Sequence, residues 1–129
     1  METQRIELPT ITLSWSEWVR WDEIPEDART GGVYIPSRQK GVYEVRRAGD
    51  DSERLTIGKA ADLRHRVRQG LVKGKTKHST GTRIRANEDP MTLEVRWAPT
   101  EWPAAAEEAL HRIYRDQHNG RLPVYTKLT

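Results

Sequence analysis

One stretch limits what this chain can fold into: Gly41–Arg66, GVYEVRRAGDDSERLTIGKAADLRHR. It places two short apolar runs on either side of a polar turn and then changes its apolar period. Val42, Tyr43 and Val45 are β-prone residues in the first run. The turn is AGDDSE (Ala48–Glu53), and Leu55–Gly58 makes a second run, which together predict a hairpin. From Asp62 the pattern changes. Leu63, Val67 and Leu71 recur every four residues, the narrow stripe of a helix over about 62–72. Asp62 suits the N-terminus of that helix. Arg66 falls beside the stripe, where core meets solvent, while Arg64, His65 and Arg68 are expected to face outward.

The rest of the chain adds a third strand and a closing helix. Met91–Ala98 alternates through Leu93, Val95 and Trp97. A helix over about 103–118 opens with Pro103 in its first turn and stops at Asn119-Gly120. Its expected buried face is Ala106, Ala109, Leu110 and Ile113. Between these elements Lys73–Gly81, KGKTKHSTG, has no apolar residue and is expected to be an exposed, mobile loop. Thr82–Asn87 is too short to assign. Towards the N-terminus, Ile11–Leu13 suggests a short strand or arm. Ser14 and Glu17 form a capping-box pattern, and Trp15, Trp18 and Val19 recur at helical spacing, which predicts a helix over about 15–21. Pro25 and Gly31-Gly32 punctuate a loop, and Val33–Pro36 suggests a small extra strand. The expected architecture is α/β (α+β): a three-stranded antiparallel sheet flanked by helices over 36–129, after a Trp-rich extension over 1–35. A chain of 129 residues suits one such domain.

Phenylalanine and cysteine are both absent. The core must therefore rest on Trp, Tyr and the branched aliphatics, and disulfides and thiolate metal sites are excluded. No apolar run approaches the length of a membrane span, and Met1–Thr10 has no apolar stretch of the secretory kind. A cytoplasmic protein without membrane attachment is expected.

Charge is unevenly spread. Arg54–Arg85 holds ten Lys or Arg against one acid, Asp62, a local excess of +9, whereas residues 1–40 carry a net −2. A segment of that kind is an electrostatic footprint for polyphosphate, most often nucleic acid. Arg64, Arg68, Lys73, Lys75, Lys77, Arg83 and Arg85 are the expected nucleic-acid contacts, the alternative being a solvated basic face.

With Gly41-Val42-Tyr43, Thr56-Ile57-Gly58, Leu63 with Arg66, and Glu107 with Leu110 and Tyr114, the chain resembles the GIY-YIG nuclease superfamily over about 85 residues. The resemblance implies that fold and divalent-metal-dependent hydrolysis of phosphodiester bonds, with Mg2+ or Mn2+ as cofactor. It implies that Tyr43 activates or positions water, that Arg66 grips the scissile phosphate, and that Glu107 holds the metal. Lys59, just past the second motif, and His78, in the basic loop, are candidates to assist. The residues themselves also allow a half-core tyrosine, a surface arginine and a rim glutamate held by a neighbouring arginine. Three positions depart from the family pattern. Thr56 stands in place of a tyrosine, Gly70 where many members carry histidine, and Thr126 near where many carry asparagine. Thr56 retains a hydroxyl, and His65 or His78 could supply the imidazole. His65 and His111 otherwise read as solvated helix residues.

The expected function is an endonuclease acting on nucleic acid, with DNA as the favoured substrate. Two rivals accompany it. One is a nucleic-acid-binding module of the same fold with weakened or lost catalysis. The other is an interaction domain that docks a protein partner through Trp15, Trp18 and Trp21.

Overall fold

The computed structural model describes residues 3–8, 10–24, 34–75 and 77–126. Four antiparallel strands form one sheet in the order β1-β4-β2-β3. They are β1 (Val19–Arg20), β2 (Gly41–Arg47), β3 (Thr56–Ala60) and β4 (Leu93–Pro99). A π-helix (His65–Val72) and helix α1 (Ser79–Asn87) follow β3, and helix α2 (Pro103–Gln117) follows β4. The architecture is mixed α+β.

Strand β2 is central and buried from Gly41 to Arg46. Its alternating side chains divide the interior into two layers. Tyr43 and Val45, with Val95 and Trp97 of β4, pack against Leu63, Val67, Leu71 and Ile84. Trp21, Ile24 and Ile35 complete that layer. On the other face Val42 and Ala98 meet Ala106 of α2, and Leu110, Ile11, Leu13 and Trp15 close over them. The 1–35 stretch therefore contributes an edge strand and core residues to the same sheet.

The outer edge of β3 is partly covered, which limits pairing with another chain. Tyr125 N donates to Leu55 O at 2.9 Å and Ile57 N donates to Thr126 Oγ1 at 3.1 Å. His111 Nε2 lies 2.9 Å from Ile57 O, so His111 is a bonded residue and not a solvated one.

Several expectations need correction. Among the described residues the sheet has four strands, not three, because Val19–Arg20 pairs with β4. No helix spans 15–21. The chain there is extended, and Ser16 N donates to Trp97 O at 2.8 Å while Trp97 N donates to Ser16 Oγ at 3.0 Å. The tryptophan spacing serves a different purpose. Arg46, Arg54 and Arg96 lie 4.1, 4.9 and 4.5 Å from the Trp18 ring centre, and Arg96 lies 4.3 Å from that of Trp15. These guanidinium groups serve one buried and one half-buried carboxylate: Glu44 takes Arg54 at 3.2 Å and Arg96 at 2.6 Å, and Glu94 takes Arg46 at 2.9 Å. Trp21 instead enters the core on the opposite layer. The three rings thus share no exposed face.

The expected mobile loop over 73–81 ends early, since Ser79–Gly81 already belong to α1, which runs on through the unassigned Thr82–Asn87. Helix α2 turns Ala106, Leu110, His111 and Tyr114 inward or half-inward and leaves Ala109 and Ile113 exposed. Tyr34–Pro36 form no strand, although Ile35 is fully buried. Val33, Pro25 and Gly31-Gly32 lie outside the described residues. Among the described residues no helix is long and apolar enough to cross a membrane.

Removing the Trp18 ring would strip the cover from Arg46 and Arg54 and leave Arg96 only that of Trp15. Trp18→Ala is expected to cost about 2–3 kcal/mol, read as a lower urea midpoint with unchanged far-UV dichroism. A loss below about 0.5 kcal/mol would show that the ring contributes little.

Candidate active site

The site begins with a cross-strand pair. Tyr43 of β2 stands opposite Gly58 of β3. A Cβ on residue 58 would lie 2.5 Å from the Tyr43 hydroxyl and 2.6 Å from its ring carbon Cζ. The absence of a side chain at Gly58 therefore lets the phenol ring lie across β3 with its hydroxyl at the strand's outer side. Only 3% of Tyr43 is exposed. Its hydroxyl lies 3.4 Å from His78 Nε2, and the two rings meet edge to face at 6.4 Å.

Burial pushes the Tyr43 phenol up to about 12, against the pull of the Arg66 charge and with a smaller upward push from Glu107. Desolvation thus outweighs the nearby cation. The phenol is therefore neutral at ordinary pH and not a standing phenolate.

Tyr43, Thr56, Lys59, Arg66, His78 and Glu107 all line one cleft of about 170 Å³, with Ile57, Gly58, Thr80 and Thr126. Four elements bring them together. Tyr43 comes from β2, Thr56 and Lys59 from β3, Arg66 from the π-helix, and Glu107 from the first turns of α2. His78 immediately precedes α1, and its carbonyl accepts from Thr82 N at 2.9 Å. Arg66 and Glu107 are half-buried. Among the described residues neither side chain makes an ion pair or a hydrogen bond, so Glu107 is not the rim glutamate held by an arginine. Lys59 is exposed at the cleft's mouth.

The departures from the family pattern have structural accounts. Thr56 Oγ1 lies 3.1 Å from Thr126 Oγ1, so the two hydroxyls satisfy each other and pin the C-terminal tail to β3. Gly70 is buried away from the cleft, and its carbonyl accepts from Arg85 at 2.9 Å. His78, not the exposed His65, brings the imidazole. Thr80 was not foreseen, because nothing in KGKTKHSTG marks one hydroxyl as inward. Its Oγ1 donates to Tyr125 O at 3.4 Å.

The residues of the expected nucleic-acid set differ in exposure and in their bonding to the fold. Arg68 is only 5% exposed, which removes it as a phosphate contact. Arg85 donates to Gly70 O and Leu71 O at 2.9 and 2.6 Å, closing carbonyls near the end of the π-helix. Arg64 donates to Ile35 O at 2.7 Å and lies over Tyr34. Arg83 lies over Tyr125. Lys73 is half-buried, and Lys75 and Lys77 are exposed. Much of the +9 segment therefore bonds to the fold itself.

Among the described residues no group of three His, Asp or Glu converges as a metal site. The cleft offers one unpaired carboxylate, Glu107. That donor fits a hard cation such as Mg2+ or Mn2+, which keeps several waters and takes one or two carboxylates together with substrate oxygens.

No family model matches the chain, and no curated protein or solved structure matches it.

The raised phenol sets an alkaline stability limit. Below pH 10 Tyr43 is neutral in both folded and unfolded chains and adds no pH dependence. Between pH 10 and about 12 the unfolded chain loses the proton first, so Tyr43 makes stability fall as pH rises, by up to about 1.4 kcal/mol per unit. Denaturant titrations of wild type and Tyr43→Phe should diverge in that window. Parallel curves would contradict the burial effect.

Proposed function

We propose that this cleft hydrolyses phosphodiester bonds of nucleic acid, with DNA the favoured substrate, as a GIY-YIG-type endonuclease. One observation carries the reading. Groups dispersed between positions 43 and 107 line a single cleft, in which the Arg66 guanidinium and the Glu107 carboxylate make no ion pair among the described residues. Opposite charges kept apart at one site suit a ligand that takes both, a phosphate with its counter-cation.

Each residue then has a task. Arg66 holds non-bridging phosphate oxygens, since guanidinium is permanently charged and matches them in shape. The Tyr43 hydroxyl donates towards His78 Nε2 when that nitrogen is unprotonated, which leaves a phenol lone pair for an incoming water. As water attacks phosphorus, its proton passes to the Tyr43 oxygen while the phenol's own proton moves to His78; the P–O bond to the leaving sugar oxygen breaks, and that oxygen takes a proton from solvent. The phenol therefore need not ionise beforehand, which its burial disfavours. Lys59 adds positive charge at the mouth as negative charge builds on the phosphate. Glu107 would hold the divalent cation, Mg2+ or Mn2+, which supplies Lewis-acid charge stabilisation when bound.

A second reading also has an observation behind it. Thr56, in place of the family's tyrosine, spends its hydroxyl on Thr126. A weakened or inactive nucleic-acid-binding module would result if that group is indispensable. Less supports the protein-docking reading, because Trp21 is buried in the core while Trp15 and Trp18 stack on arginines.

Nicking of supercoiled plasmid in Mg2+ tests the proposal. Glu107→Ala and Arg66→Ala should each lower the rate by about 10²–10³-fold or more, with unchanged thermal unfolding. Salt-sensitive retention of DNA with no nicking by the wild type would favour the binding module instead.

A further inference from the structure

We infer that the substrate strand leaves the cleft along a track of Lys59, Lys40 and Arg38, which take phosphates next to the scissile one. The inference rests on the nuclease reading and names where the rest of its substrate lies. The cleft shares Lys59 and Arg66 with an adjoining hollow of about 410 Å³. That hollow has Ala60, Ala61, Pro103 and Ala104 in its walls and Lys40 on its lining. Lys40 also lines a third hollow of about 360 Å³, together with Arg38. Three depressions therefore join through shared cations into one path. Small residues in the middle hollow leave room for a sugar–phosphate backbone, and positive groups recur along its length.

The base of the track is fixed. Leu63 N donates to Gln39 O at 2.9 Å and Thr100 N donates to Lys40 O at 3.0 Å, so residues 39 and 40 are tied to both neighbouring elements. Arg38 has a φ of 60°, in the left-handed region that non-glycine residues seldom occupy. Such backbone conformations persist where the surroundings hold them, often at ligand sites. One acid, Glu101, also lines the third hollow. It pairs with Lys40 at 3.8 Å, and both side chains are largely exposed, so a phosphate can displace it at little cost. Lys73, Lys75 and Lys77 line none of these three hollows.

The experiment measures duplex DNA binding by anisotropy across a salt series, with the full chain in EDTA so that no cleavage intervenes. Each lost phosphate contact lowers the slope of log affinity against log salt by about 0.9. Arg38→Gln/Lys40→Gln should reduce the slope by about two and weaken binding about tenfold or more at 0.1 M salt. The charge-matched pair Arg20→Gln/Arg112→Gln should keep the wild-type slope. An undiminished slope in Arg38→Gln/Lys40→Gln overturns the track. So does a loss carried by Lys73→Gln/Lys75→Gln/Lys77→Gln in its place. A chain that nicks plasmid yet shows either result keeps the nuclease reading and loses only the track. A wild type that neither binds duplex nor nicks plasmid removes both.

Discussion

The contact on which the rest depends is the Tyr43 ring lying across Gly58. It fixes the pairing of β2 with β3, fills the core below them and delivers a hydroxyl to the sheet's edge. Any side chain at residue 58 would occupy the ring's place. Gly41 meets a similar constraint: a Cβ there would run into Ala98 O on one side and come 2.7 Å from Leu63 Cδ1 on the other. The start of the π-helix region and the end of β4 can therefore approach β2 only at a glycine. The glycines of the two short motifs are steric requirements of the fold, and the tyrosine is placed as their consequence.

One face of the sheet and the outer edge of β3 treat charge in opposite ways. On one face Glu44, Arg46, Glu94 and Arg96 are matched at ion-pairing distance and roofed by tryptophan rings. Losing one partner there would strand a buried charge, a change costing several kcal/mol in comparable networks, on the order of 3–5. At the edge of β3, Arg66 and Glu107 face one cleft without pairing to each other. The first arrangement spends its charges on holding the N-terminal arm to the sheet. The second leaves them unpaired with each other. This contrast explains why a simple count of Lys and Arg misleads. Arg64, Arg68 and Arg85 are basic in composition but bonded or buried in the fold.

Much of this was legible in the chain. Strands β2 and β4 and helix α2 showed clear apolar periods, and the helix after β3 followed from Leu63, Val67 and Leu71. That Tyr43, Thr56, Lys59, Arg66 and Glu107 line one cleft was legible because they sit in or beside short motifs at fixed offsets. Three features were hidden for physical reasons. Strand β1 is two residues long and is supported by hydrogen bonds through Ser16, which no hydropathy pattern records. Helix α1 begins with Ser79, Thr80 and Gly81, and its close packing uses Gly81 against the Gly70 carbonyl, a contact made by missing side chains. The tryptophans at 15 and 18 looked helical, yet their spacing matches arginines brought from three other places in the chain.

The proposed hydrolysis requires a hard cation and a phosphate at the edge of β3, held from Glu107 and Arg66. Titrating Mn2+ into the protein while recording amide signals by NMR tests it most directly. Paramagnetic broadening should appear first at Ile57, Gly58, Lys59 and the first turn of α2, and should vanish in Glu107→Ala. Broadening centred on the acidic turn at Asp50–Glu53, and indifferent to Glu107→Ala, would contradict it.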